Sequence, residues 1–144
     1  MSSQRNTRYI YAGHDDWIDV YPGNIGTDFC YRLLDPIQIA DGDRWSIAIS
    51  DISFSAPLKQ PVYICCDTCA VSQTGRKMLP ILRQLIDSPT RHFTFDRLEY
   101  RPLTKGYIDS IRIYLTDELE RNTSLYSLTL KCALHIRRDT PWNV

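Results

Sequence analysis

Residues 127–137 read SLTLKCALHIR, and their alternation decides the fold. Leu128, Leu130, Cys132, Leu134 and Ile136 share one parity. Ser127, Thr129, Lys131, Ala133, His135 and Arg137 share the other. Successive side chains of an extended chain point to opposite faces, so this run is a half-buried β-strand.

Working outward, shorter runs repeat the period of two. Residues 17–21 alternate around Ile18 and Val20; Phe29, Tyr31 and Leu33 share a face, as do Ile111, Ile113 and Leu115. Trp45, Ile47 and Ile49 share a face, after which Ile52 and Phe54 take the opposite parity. A slip of one residue moves every side chain to the other face, so a bulge is expected near Ser50-Asp51. Residues 62–67 form another candidate strand. Phe93 and Phe95 mark one more, with a parity change before Leu98 and Tyr100. Breakers separate the runs at Tyr21-Pro22-Gly23-Asn24, Asp41-Gly42-Asp43, Thr74-Gly75 and Lys105-Gly106.

The run MLPILRQLI, residues 78–86, reads two ways. Leu79, Leu82 and Ile86 would share a helical face. Leu79, Ile81 and Leu85 would share a strand face, interrupted by Arg83. Pro80 suits the first turn of a helix or an edge strand, and the flanking strands favour strand. Counting it, the sequence predicts an all-β fold, a single jelly-roll β-sandwich of about eight antiparallel strands. Residues 1–7 read as a polar N-terminal arm, 8–138 as one jelly-roll domain, and 139–144 as a C-terminal tail.

Composition narrows the function. In 144 residues, 43% are apolar and 24% charged, the balance of a globular domain. Seventeen basic residues offset seventeen acidic ones. A neutral chain exerts no general pull on nucleic acid or anionic membrane, and its low self-repulsion suits assembly. The opening MSSQRNTRYIY lacks the apolar core of a secretory signal, and no run approaches the length of a membrane span. Five cysteines without framework spacing fit a reducing compartment, which leaves the sequon Asn122-Thr123-Ser124 without use.

The chemistry-bearing residues do not combine. Cys66-x-x-Cys69 has knuckle spacing, but tetrahedral zinc takes four ligands, and Cys30 and Cys132 are distant. On a strand, Cys66 joins Val62 and Ile64 on one face, and Cys65 joins Tyr63 on the other. Buried cysteine packs as a small hydrophobe, which favours packing over metal or redox work. His14, His92 and His135 are isolated, no nucleophile elbow occurs, and six scattered glycines make no phosphate loop. Asp15-Asp16 and Asp117-Glu118-Glu120 do not alternate around a glycine as a calcium loop does. The pairs Arg5/Arg8 and Arg137-Arg138 read as surface or interface charge. No cofactor, metal site or catalytic residue is expected.

What remains is aromatic surface, drawn from nine tyrosines and three tryptophans. Trp17 and Trp45 are expected in the core. Tyr114 shares a polar face with Arg112, and Tyr9, Tyr11 and Trp142 lie near the termini. With Arg137, these are the candidate interface residues, since exposed aromatics with arginine mark protein contacts.

Six pieces in order resemble one family. They are Tyr21-Pro22-x-Asn24 with Phe29 and Leu33; residues 45–54, WSIAISDISF; residues 62–67, VYICCD; Gly75 with residues 79–83, LPILR; Tyr100-x-Pro102-Leu103 with residues 108–113, IDSIRI; and residues 134–138, LHIRR. Together they resemble the penton-like minor capsid protein of Polinton (Maverick) elements and adintoviruses, within the adenovirus-like lineage of double-stranded DNA viruses. The sequence departs at residues 118–122, ELERN, where that family often carries proline and glycine.

The resemblance implies a single jelly roll without catalysis. It implies a homopentamer at the capsid vertex, beside the major capsid protein of the same virus, with the host nucleus or cytoplasm as the place of assembly. Direct nucleic-acid or membrane contact is not expected. The alternative is a jelly-roll binding module, lectin-like or peptide-binding, used for attachment.

Overall fold

The computed structural model describes residues 6–86, 89–117 and 128–139. Among them are eleven strands and no helix: β1 (Thr7–Gly13), β2 (Asp28–Gln38), β3 (Trp45–Phe54), β4 (Val62–Cys66), β5 (Ser72–Thr74), β6 (Lys77–Leu79), β7 (Ile81–Leu85), β8 (His92–Thr94), β9 (Arg101–Pro102), β10 (Tyr107–Thr116) and β11 (Leu130–Arg138). No helix long and apolar enough to cross a membrane occurs there.

One sheet has the order β1-β11-β3-β8, with β9 also on β3; the other has the order β2-β10-β4-β7. Every pair is antiparallel. Setting aside the β5–β6 ribbon and short β9, the pairing follows from folding the strand list in half. β1 meets β11, β2 meets β10, β3 meets β8 and β4 meets β7; β11–β3 and β10–β4 then join these pairs into sheets. A long hairpin rolled on itself gives this order, and the fold is a jelly roll with two packed sheets.

The inner faces of the two sheets make the core. Ile10, Ile47, Ile49, Ile52, Leu134 and Ile136 come from one sheet, facing Phe29, Leu33, Ile64, Ile111 and Ile113 of the other. In the 45–54 run, the register steps from Ala133↔Asp51 to Leu134↔Ile49, so Ser50 is the extra residue. The expected bulge is there, and it returns Ile52 and Phe54 to the core side. The Ser50 hydroxyl donates to the Ala133 carbonyl at 3.2 Å, occupying a group at the irregularity.

Two assignments differ from expectation. Residues 17–21 form turns, not a strand: Val20 N–H and Tyr21 N–H both bond the Trp17 carbonyl, at 3.0 and 2.8 Å. Ile18 and Val20 are exposed, and Trp17 is only half-buried, set edge-on to Tyr31 at 6.2 Å. The first strand is instead β1, and it begins at Thr7, within the span read as an arm. Trp45 is buried as expected.

Residues 78–86 are strands broken at Pro80, but their face is split. Leu82 and Leu85 enter the main core, while Leu79 and Ile81 point outward into a second cluster with Tyr63 and Cys65. A register step between Ile64↔Arg83 and Cys65↔Ile81 makes Leu82 the extra residue and inverts the parity. The β5–β6 ribbon closes this second cluster through Tyr63 Oη to Thr74 Oγ1, 3.0 Å. Gly75, at φ 59°, turns the ribbon, a backbone state glycine adopts without steric cost.

Residues 118–127, which include the sequon and the ELERN turn, lie outside the described residues. So do residues 1–5 and 140–144. Asp139, expected in the tail, is tied down by its N–H to the Arg44 carbonyl and by the Ser46 hydroxyl to its carboxylate.

Candidate interaction surface

The fold separates the interface candidates onto two faces. Tyr9 and Tyr11 on β1 and Arg137 on β11 lie on the outer face of the first sheet, where Thr7↔Arg137, Tyr9↔His135 and Tyr11↔Ala133 are neighbours. Arg112 and Tyr114 lie on the outer face of the second sheet, on β10. Trp142 lies outside the described residues.

On the first face, His135 organises a cluster. Its ring stacks on Tyr9 with centroids 4.5 Å apart and meets Tyr100 edge-on at 5.7 Å. Its Nδ1 lies 2.6 Å from Tyr100 Oη, and its Nε2 lies 2.5 Å from Thr7 Oγ1. Arg137 sits over the Tyr100 ring at 3.5 Å, a cation–π contact. Beneath the rings, Ala48 and Ala133 are buried although they have the outward parity. Small residues there let the aromatic layer lie close to the sheet.

Both ring nitrogens face hydroxyls, which donate or accept as needed, so the preference for neutral imidazole comes from the surroundings and not from these two bonds. Burial, followed by the nearby Arg137 charge, lowers the His135 pKa. Unfolded, the imidazole takes its proton near about 6.5. The unfolded state therefore binds more protons as pH falls through that value. This contribution is complete above the unfolded pKa and is lost as pH falls toward the folded one. Thermal melts at about pH 7.5 and pH 5.5 should show a smaller acid-induced drop in Tm for His135→Gln than for wild type. Equal drops in both proteins would remove His135 as the source.

The second face is internally satisfied. Arg112 makes a bidentate pair with Asp28, both hydrogen bonds at 2.8 Å, and its guanidinium lies 4.3 Å from the Tyr114 ring centroid. The Asp28 hydrogen bond raises the Arg112 pKa. Tyr114 lies over the second cluster, where burial and then Cys65 push its pKa up to about 12. Arg112 thus clamps β10 to β2, across a cross-strand position where Tyr114 opposes Asp28.

The flank between the sheets offers more. β1 and β2 are edge strands of different sheets and lie side by side around an open groove of about 590 Å³, lined in part by Arg8, Tyr11, Tyr31, Arg32, Leu34 and Asp35. Leu34 is 89% exposed, Tyr11 72% and Tyr9 57%. The β1–β2 connection folds onto this flank through Trp17 against Tyr31 and Arg32 over Tyr21. It brings exposed Ile18 and Val20. Asn24 pins the connection: its amide donates to the His14 and Cys30 carbonyls, and its oxygen accepts from Cys30 N–H.

Sequence reading missed Leu34 as a surface determinant and took Arg8 as surface or interface charge, whereas the Arg8 side chain is largely buried against Asp35. Leu34 had a signal, since it shares the outward parity of Asp28 and Arg32. Arg8 shares the inward parity of Ile10 and Ala12. An inward charge on an edge strand is one way to discourage indiscriminate pairing.

The cysteines divide as the alternation requires. Cys66 lies in the main core with Val62 and Ile64, and Cys65 lies in the second cluster with Tyr63. Cys69 joins the main core and donates to the Cys66 and Pro80 carbonyls. Burial pushes the Cys66 thiol up to about 11 and those of Cys69 and Cys132 up to about 12. Such thiols stay protonated near neutrality, so they are poor nucleophiles and ligands. No group of three or more histidine, cysteine or acidic residues placed to hold a metal occurs among the described residues.

Only Cys30 is partly accessible; the other four cysteines are buried. A native thiol titration with an aromatic disulfide reagent should show one fast equivalent per chain, removed by Cys30→Ser. The remaining four should react only on unfolding. Several fast equivalents in the folded protein would contradict the packing.

Comparison with protein-family models, curated proteins and solved structures finds no match to this chain.

Proposed function

We propose that this chain is a structural virion protein, a penton-like minor capsid protein that assembles with copies of itself into a homopentameric vertex capsomer. The observation that carries the reading is the β1–β2 flank, where no strand among the described residues pairs with the outer edge of either strand. Two strand edges lie open side by side there, next to exposed Tyr9, Tyr11 and Leu34. In a lone chain such a flank invites promiscuous pairing, whereas in an assembly it becomes contact area. The jelly-roll strand order and the six ordered sequence pieces support the same reading.

A closed ring brings one flank of each copy against the opposite flank of the next. The opposite side also carries exposed apolar groups, Ile86 after β7 and Met78 on the ribbon. The neutral net charge adds little repulsion between copies. In this reading the protein works by burial, and its further partner is the major capsid protein of the same virus at the capsid vertex.

Light scattering coupled to size exclusion, with negative-stain microscopy, tests this. The expected result is a species of about five chain masses with five-fold views. A strict monomer at high concentration, with no rings on the grid, would sink the proposal. The groove favours one other reading, a peptide-binding attachment module. A monomer that retains extended peptides from an array in this groove would select it.

A further inference from the structure

The open edge of β1 has a defined polarity. Arg138 N–H donates to the Asn6 carbonyl at 2.7 Å. In an antiparallel ladder this turns the backbone groups of even residues toward β11 and those of odd residues away. Gly13 agrees: its N–H bonds the Asp16 carboxylate at 3.0 Å, away from β11. Thr7, Tyr9 and Tyr11 therefore present their N–H and C=O groups along the open edge, above the groove.

Arg8 stands inside that groove. Its Nη1 donates to the Asp35 carbonyl, and its Nη2 lies 3.5 Å from the Asp35 carboxylate. Its Nε and Nη2 nevertheless make no hydrogen bond and are shielded from solvent. A guanidinium has five donors in a fork that matches a carboxylate, and shielded donors left unfilled are costly. Asp35 takes one donor through its carbonyl and pairs with the guanidinium at 3.5 Å, which leaves the Nε and Nη2 hydrogen bonds unfilled. Beside these donors lie apolar Leu34 and Tyr11. A backbone edge, a guanidinium with two unfilled donors and apolar side-chain sites together describe a seat for one more strand.

We propose that this seat is filled by an extended segment of a neighbouring copy, which pairs with the open edge of β1 and places a carboxylate on Arg8. This rests on the assembly reading and specifies its contact. Charge complementarity supports a second copy as the occupant. In the segment that follows β8 at the opposite edge of the same sheet, Asp96 is exposed, whereas Glu99 lies 3.8 Å from Arg83 as an ion pair, so Asp96 is the carboxylate on offer. Strand direction agrees as well. β1 and β8 run opposite ways within their sheet, because three antiparallel pairings separate them. A rotation about an axis along the strands keeps directions, so β8 of the next copy meets β1 antiparallel.

Sedimentation velocity across a concentration series tests this on the full chain. Arg8→Glu puts like charge in the seat. Tyr11→Pro removes an N–H from the open edge only, leaving the ladder to β11 intact, and Tyr11→Ala controls for the lost ring. Wild type should assemble. Arg8→Glu should raise the dissociation constant about 30-fold or more, and Tyr11→Pro should exceed Tyr11→Ala, with circular dichroism unchanged. Arg8→Gln, a milder change, should move in the same direction and serves if the glutamate impairs folding. If wild type assembles and these variants assemble at the same concentration, the seat is wrong while the assembly reading stands. A wild type that stays monomeric overturns both.

Discussion

Leu134→Ala should lower the unfolding free energy by about 2–5 kcal/mol, while Leu34→Ala in the dissociated chain should stay within about 0.5 kcal/mol of wild type. The residue type is the same, and the difference is where the alternation points it. Leu134 is fully buried, on β11 in the middle of its sheet, with Ile10 and Ile49 as inward-facing neighbours on either side. Those neighbours are held by strands paired to β11, so they relax little into the space left by the removed carbons. The cavity then adds to the lost transfer energy. Leu34 is 89% exposed and loses little on truncation until another chain covers it. Urea titrations at one low protein concentration check this, with the m-value constant. Equal costs at the two positions would mean that the inside and outside of the sandwich are assigned wrongly.

The sheets were legible because one physical signal, period two, governs them. It placed Cys65 and Cys66 on opposite faces and located the bulge at Ser50, where two runs of opposite parity meet. It failed in two ways. At residues 17–21 the pattern is present without a partner strand, since Asp15-Asp16 and Pro22-Gly23 bound a run too short to reach across. Backbone bonds within the turn win there. At β7 the bulge at Leu82 inverts the faces, and that inversion depends on the register against β4, a long-range fact. The number of main strands came out near eight partly by offset: residues 17–21 were counted and β1 was not. β1 hides because its apolar face is only Ile10 and Ala12, with Arg8 in the next inward place.

The candidate surface was legible only residue by residue. Tyr9, Tyr11 and Arg137 do lie on one face, yet the side chain that joins two of them into a cluster is His135, which alternation assigned to the polar side without a partner. Arg112 and Tyr114 form a pair, as shared parity suggested, but Asp28, far away in sequence, already occupies the guanidinium. Proximity across strands decides these roles. It follows from the rolled-hairpin topology, which brings residue 9 beside 135 and residue 28 beside 114.

Gly26→Ala should destabilise the chain by about 3 kcal/mol, the upper end of the usual cost of overpacking. Gly26 sits where the β1–β2 connection crosses the start of β11. Its carbonyl accepts from Leu130 N–H at 3.0 Å, so the two backbones are locked together. A Cβ built on it lies 2.4 Å from the Leu128 carbonyl oxygen and 2.8 Å from Thr129 Cα. Both are backbone atoms, and no side-chain rotation relieves the overlap. One segment must move, and the Leu130 bond stretches with it. Three residues away, Gly23 has nothing within 4 Å of the equivalent position. Gly23→Ala should therefore be neutral, or stabilising by about 0.4–1 kcal/mol through the lower entropy of the unfolded chain. The pair isolates close approach from glycine flexibility, because both glycines leave the unfolded chain with the same extra freedom. If the two alanine variants melt together, the crossing at Gly26 is not as tight as described. If only Gly26→Ala falls, the jelly roll depends on a contact that no periodicity in the sequence announces.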